Sequence, residues 1–351
     1  MHPGNHMPST RLTRICLVPR LSGMGGMVSF QQKLSAGLSS RGVEVCYDLH
    51  DPKCQAALVI GGTRDLAGLW RARRKGMIIL QRLNGMNWLH RRRRTGVKHF
   101  LRAEYGNAIL TLIRSRLAHR IVYQSQFSQR WWERVHGETT VPSRVVYNGV
   151  DLQVYSPEGN HHRPLDRFQV LLVEASLGGG YEMGLETAFQ LVERLQTVHH
   201  LPIELRVAGG VADDLKLYWQ NRASFPLHFA GKVPAQDIPE TDRSAHLLYS
   251  ADLNAACPNS VVEALACGLP VLAFDTGALS ELVGADAGRI VAYGGDPWRL
   301  DPPDIPALAE AAVDLFNDQE RYRSGARLQA VSSLSLDAMV DQYLEFIQAG
   351  L

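Results

Sequence analysis

The chain has 351 residues, length for about two domains, which excludes a single small module. At 45% hydrophobic and 21% charged it groups with globular proteins rather than disordered or fibrous ones, and no apolar run nears the ~18 residues of a membrane span. The net charge of +2 conceals an asymmetry: residues 1–150 hold 24 Lys and Arg against seven Asp and Glu (+17), and residues 151–351 hold 13 against 28 (−15).

The start, Met1-His-Pro-Gly-Asn-His-Met7, lacks the basic-then-apolar order of a signal peptide, so a cytoplasmic protein is expected. Apolar runs then alternate with amphipathic segments, the pattern of parallel strands joined by crossover helices. Arg14 to Leu21 reads as a strand and Ser22-Gly-Met-Gly-Gly26 as a turn. Met27, Phe30, Leu34 and Leu38 then mark the apolar face of a helix that stops at Gly42. Val43 to Tyr47, Ala57 to Ile60, Met77 to Leu80, Arg120 to Tyr123 and Arg144 to Tyr147 continue one doubly wound sheet. The five cysteines (Cys16, Cys46, Cys54, Cys257, Cys267) include no Cys-x-x-Cys and read as reduced thiols, with neither a disulfide framework nor a metal site expected.

Within this half, Leu66 to Ala103 contains eleven basic residues and no acid, including Arg91-Arg92-Arg93-Arg94. Such a segment fits a peripheral contact with anionic lipid, a nucleic-acid footprint, docking onto the acidic half, or a solvated face. Its aromatic interleaving amounts to Trp70 and Trp88, which argues against stacking on nucleic acid. The expectation is therefore an anionic surface or acceptor, lipid-linked or phosphorylated, met by residues 66–103 at the inner face of a membrane.

Ser156-Pro-Glu-Gly-Asn-His-His-Arg-Pro164 has the composition of a linker. Phe168 to Val173 begins a second sheet, followed by a helix marked by Leu185, Ala188, Phe189 and Val192. Further strands fall at Ile203 to Val207, ending in Gly209-Gly210, and at Leu227 to Phe229, His246 to Tyr249 and Val271 to Phe274. A last helix carries Val340, Tyr343, Leu344 and Ile347 on one face, with Ser335 placed to cap it. The expected division is a first domain over 1–155, a linker over 156–167, a second domain over 168–335, and a terminal helix over 336–351 that packs back on the first domain. Two doubly wound α/β domains place a ligand between the carboxyl ends of their sheets.

The densest signal is Ala255-Ala-Cys-Pro-Asn-Ser-Val-Val-Glu-Ala-Leu-Ala-Cys-Gly-Leu-Pro-Val271: loop, short helix, glycine stop and buried strand. A helix start at Asn259, Ser260 and Val261 offers unpaired N–H groups and a positive dipole end to a phosphate. Glu263, one turn in, can accept two hydrogen bonds from a cis-diol such as a ribose. The same Ser260-Val-Val-Glu263 is also a capping box, which needs no ligand.

This stretch resembles the nucleotide-sugar signature of retaining glycosyltransferases of GT-B fold, family four type. Gly23-Met-Gly-Gly26, Gln81-Arg-Leu-Asn-Gly85, Tyr123-Gln-Ser-Gln-Phe127, Tyr147-Asn-Gly-Val-Asp151 and Asp275-Thr-Gly-Ala-Leu-Ser-Glu-Leu-Val283 match in order, so the similarity spans nearly the whole chain. The resemblance implies transfer of a sugar from a nucleotide diphosphate to an acceptor hydroxyl with retention, the nucleotide-sugar being a co-substrate and no metal or other cofactor being required. It places the donor on Gly25, Gly26, Gly209, Asn259, Ser260, Val261 and Glu263, with Glu263 on the ribose.

Three positions depart from the family pattern. The usual acid eight residues before Glu263 is Ala255, and the usual Arg and Lys that grip the diphosphate are missing from Val173-Glu-Ala-Ser-Leu-Gly-Gly-Gly-Tyr-Glu-Met-Gly184. Losing one donor aimed at developing charge costs ~2.7–4 kcal/mol. Arg20, Arg82 and Lys232, each following a strand, are candidate catalytic replacements, and Gly178 to Gly180 could form a backbone anion nest. The alternative is a catalytically silent nucleotide-sugar-binding protein. A nucleotide-sugar epimerase is a third reading, against which the sequence shows no convincing acid/base pair.

Overall fold

The computed structural model describes residues 11–23, 25–178 and 182–351. Its first sheet is built from β1 (Arg14–Val18), β2 (Glu44–Cys46), β3 (Ala56–Ile60), β4 (Ile78–Leu83), β5 (Arg120–Tyr123) and β6 (Ser143–Val145). Between them run α1 (Gly26–Ser40), α2 (Leu66–Arg74), α3 (Val97–Leu112) and α4 (Gln126–His136). All pairings are parallel in the order β2-β1-β3-β4-β5-β6, so the winding reverses beside β1. The fully buried run Ala56–Ile60 shows why these strands read as continuous apolar stretches: helices cover both faces of the sheet. β1 is shorter than the sequence predicts because it ends before Pro19, which has no N–H to extend the ladder. Cys46 and Cys54 meet at the β2 edge with sulfurs 2.7 Å apart, and Asp51 completes a cluster whose ligand atoms lie within 4.8 Å, although Arg14 already holds that carboxylate.

The second sheet comprises β7 (Phe168–Ser176), β8 (Ile203–Gly210), β9 (Leu227–Gly231), β10 (Leu247–Ser250), β11 (Val271–Phe274) and β12 (Gly288–Val291). Its order is β12-β11-β10-β7-β8-β9, again all parallel, with the switch between β7 and β10. The helices are α5 (Met183–Thr197), α6 (Asp213–Arg222), α7 (Ile238–Arg243), α8 (Asn259–Ala266), α9 (Leu279–Leu282), α10 (Ile305–Asn317) and α11 (Gln319–Ser333).

The last helix, α12 (Leu336–Gln348), leaves this lobe and completes the core of the first, where Met339, Val340, Tyr343, Phe346 and Ile347 pack with Phe30, Leu34 and Leu38. Ser335 caps it by accepting from the Ala338 N–H at 3.0 Å. The closest approach falls at Gly37 of α1, where a Cβ would stand 2.5 Å from a Val340 methyl. Both crossings between the lobes run side by side, since Val150 bonds backbone to backbone with Leu334 and Leu336, each at 2.9 Å. No helix of the described residues is long and apolar enough to cross a membrane.

Candidate functional site

The site follows from where α8 points. Its N-cap is Pro258, whose ring offers no side-chain acceptor, and no side chain caps its first turn. Ser260 is thus inside the helix, and Glu263 turns away from the backbone to accept from Lys33 Nζ at 2.9 Å. The capping box is not formed. Lys33 belongs to α1 of the other lobe, so the first turn of α8 faces the gap. Across that gap stands the start of α1, also without a side-chain cap: its N-cap Gly25 has φ 127°, and a Cβ on Gly26 would stand 3.6 Å from Asn259 Nδ2. A side chain at Gly25 would be strained by that backbone conformation. Two helix amino ends therefore converge, each with a positive dipole end and unspent N–H donors.

A buried polar relay fixes α8 in this position. Arg82, at the end of β4, is 2% exposed, with its guanidinium carbon 3.7 Å from the centroid of the Phe30 ring. It donates to Asn148 Oδ1 at 2.8 Å, and Gln124 donates to the same oxygen at 3.0 Å. The Asn148 amide then donates to the Cys257 carbonyl at 2.9 Å and to Asn259 Oδ1 at 2.8 Å. Arg82 is thus placed differently from the expectation of a cation facing a diphosphate: it is spent inside the first lobe, and burial pushes its pKa down. Its charge supports the asparagine that holds the loop before α8.

The other expected cations are at the surface. Arg20 is exposed and lies 5.1 Å from the centroid of Tyr47. Lys232 is exposed just beyond β9, with its stem against Gly210 at the end of β8. Gly209 is packed so closely on the Glu174 carbonyl, at φ 154°, that no Cβ fits. Val261 is fully buried, whereas Asn259, Ser260 and Glu263 are half-buried at the gap. Gly179 and Gly180 of the anticipated nest lie outside the described residues, as does Met24 of the first-lobe turn.

At the switch between β7 and β10 a cavity of about 370 Å³ is lined by Glu174, Ala175, Ser176, Leu177, Gly178, Ala251 and Asp252. Glu174 stands in the segment where the resemblance leads one to expect cations, and Asp252 lines the same cavity. Burial and then the neighbouring Asp252 push Glu174 up to about 8, and burial raises Asp252 to about 6. A second acid pair lies behind α8. Asp242 of α7 is 1% exposed with Oδ2 unpartnered among the described residues, and burial and then Glu263 hold its pKa well above the ordinary carboxylate range.

Sequence reasoning missed the groups that join the lobes. Glu281 of α9 reaches the amino end of α4 and accepts from the backbone N–H groups of Gln126 (2.8 Å) and Phe127 (2.6 Å), from Arg130 (3.0 Å) and from the Tyr147 hydroxyl (3.1 Å). Trp298 of the second lobe packs on Trp88 and Trp131 with centroids 5.0 and 4.8 Å apart. These three indoles, with Arg91, Arg92 and Glu104 among others, line a cavity of about 710 Å³. The matching segments around Gln124, Asn148 and Glu281 were visible in the sequence, but nothing local assigned them to an interface.

Residues 170–318 match the family described as glycosyl transferases group 1. A curated relative, the 2-deoxystreptamine N-acetyl-D-glucosaminyltransferase of Streptomyces fradiae, is 28% identical over 95 residues, which is 27% of this chain and only 21% of that enzyme. Among solved structures, sucrose-phosphate synthase of Thermosynechococcus elongatus superposes with a TM-score of 0.73 at 14% identity, over 96% of this chain and 98% of the other. HepE of Anabaena, solved with UDP and glucose, gives 0.67 at 14% identity over 96% and 100%. The architecture is therefore the GT-B fold: two parallel six-stranded sheets with flanking helices.

Proposed function

We propose that this protein is a glycosyltransferase that moves a sugar from a nucleotide diphosphate to an acceptor hydroxyl with retention at the anomeric carbon. The observation that carries the reading is the start of α8: an uncapped first turn with Glu263 beside it, facing the uncapped start of α1 across the gap. A carboxylate has about four acceptor positions. Glu263 can therefore keep Lys33 and still receive both ribose hydroxyls, leaving the diphosphate to the helix amides. The family match over 170–318 and the UDP bound by HepE support this donor class.

As the anomeric carbon–oxygen bond breaks, its electron pair passes to the diphosphate, and the acceptor oxygen attacks from the face being vacated. The acceptor proton goes to the departing phosphate oxygen. Charge accumulates on that leaving group, so stabilising it is the main catalytic task. We assign the task to the facing helix starts and to Lys232 and Arg20, the exposed cations beyond β9 and β1, with no metal or other cofactor. Arg82 acts as a positioning residue through Asn148.

A panel of UDP- and GDP-sugars incubated with the protein tests the reading, with nucleotide release as the readout and product anomers assigned by NMR. Release that vanishes in Glu263→Ala and a retained anomer are expected; no nucleotide binding at all overturns it. The second reading, a silent binding protein, is favoured by Glu174, which stands in the segment where cations would grip the diphosphate, with Asp252 lining the same cavity. Binding without release from any donor would establish it.

A further inference from the structure

We infer that the outward face of α3 docks the first lobe onto an anionic lipid surface. Val97, Leu101, Tyr105 and Leu112 of this helix are 76%, 62%, 54% and 43% exposed. The first three are spaced by four and form one stripe along the helix. Ala103, Asn107 and Ile109 face inward instead. Arg94, Lys98 and Arg102 flank the stripe; they are exposed and have no ion-pair partner among the described residues. Glu104 does not offset them, because Arg91 and His90 already share its carboxylate at 2.6 and 2.7 Å.

A solvated helix face needs no row of large apolar side chains, and a contiguous row on a surface marks a contact. Apolar side chains bordered by cations are the pattern of a helix lying in the headgroup plane, apolar face down, with Lys and Arg stems reaching the phosphates. Charge selects the partner: of the eleven basic residues in the acid-free segment from Leu66 to Ala103, Arg82 is buried, but Arg92, Arg94, Lys98 and Arg102 are exposed on α3 or just before it. A bilayer fits better than nucleic acid because aliphatic Val97 and Leu101 have nothing to bury against on a phosphodiester backbone. The same helix contributes Ala108, Leu112 and Ser115 beyond it to the wall of the 710 Å³ cavity. A lipid-borne acceptor would thus arrive beside that cavity, a consequence that rests on the proposed transfer reaction; the docking itself does not.

Flotation of the full chain with phosphatidylcholine vesicles containing 30% phosphatidylglycerol, against phosphatidylcholine alone, tests the inference. Each basic residue near an anionic leaflet is worth about fivefold in partitioning, so Arg94→Gln with Lys98→Gln and Arg102→Gln should weaken binding roughly a hundredfold. Val97→Gln with Leu101→Gln should weaken it as well, at unchanged charge and melting temperature. Binding should fall as salt rises. Absence of binding to the anionic vesicles at low salt overturns the inference, as does binding that both variants retain. Loss confined to the charge variant, with duplex DNA competing for the same protein, would overturn it in favour of a nucleic-acid surface. UDP binding, measured in parallel, should be the same in all variants, which separates failure here from failure of the donor assignment.

Discussion

Replacing Glu263 by Gln keeps the shape of the side chain and removes its charge, which makes it the sharpest probe of the proposed donor site. In the structure Glu263 is ion-paired to Lys33 at 2.9 Å, with both side chains mostly buried (13% and 19% exposed). On the proposed reading its remaining lone pairs receive the ribose hydroxyls. A hydrogen bond to a charged group is worth about 1.5–3 kcal/mol and a neutral one about 0.5–1.5, so the substitution removes about 1 kcal/mol from each of two ribose bonds. The sum, about 2 kcal/mol, is roughly thirtyfold in affinity. Isothermal titration with UDP and with 2′-deoxy-UDP gives a cycle. The native protein should prefer the ribonucleotide by at least about fivefold, and Glu263→Gln should bind UDP about thirtyfold more weakly and lose most of that preference. Equal affinities of the native protein for the two nucleotides, or an unchanged affinity in Glu263→Gln, would refute the reasoning.

Three further outcomes follow from the geometry. Glu281→Ala strips four donors of a shared charged acceptor, at about 1.5–3 kcal/mol for such bonds. It should loosen the lobes, seen as a larger radius of gyration in solution scattering and a lower melting temperature; an unchanged radius would contradict the clamp. Glu174, raised to about 8, is neutral below that pH and repels a diphosphate above it. UDP affinity should therefore fall as pH rises from 7 to 9, a range in which the phosphates are already ionised, and Glu174→Gln should flatten the profile. The stability sign agrees: a carboxyl whose folded pKa is raised above its usual value contributes most below that value and loses its contribution as pH climbs toward 8, so Glu174→Gln should melt higher at pH 9. EDTA should leave donor turnover within twofold, whereas loss restored by Mg²⁺ or Mn²⁺ would place a cation between Glu174 and Asp252.

Much of the fold was legible because buried parallel strands announce themselves locally: Ala57 to Ile60 and Val271 to Phe274 are apolar on both faces. The helix at Asn259 was legible from Pro258 before it and Gly268 after it, where the backbone turns to φ 67°. What Glu263 does was not. Ser260-Val-Val-Glu263 is written identically for a capping box and for a ligand-facing carboxylate, and the contact that draws Glu263 off the backbone comes from Lys33, 230 positions away. Arg82 misled for the same reason. Its place at a strand end pointed to the gap, but Phe30 and Asn148, contributed by two other elements, turn it inward. The contacts of Glu281 with α4 span about 150 positions and leave no periodic trace.

The central claim is that a nucleotide diphosphate rests on the amino end of α8, between the lobes. Hydrogen exchange of the backbone amides of Asn259, Ser260 and Val261, measured with and without saturating UDP and GDP, tests it most directly. Slowed exchange at these amides and at Gly26 with one of the nucleotides is the predicted result. Exchange there that is unchanged by either nucleotide, while protection appears elsewhere, would contradict the account.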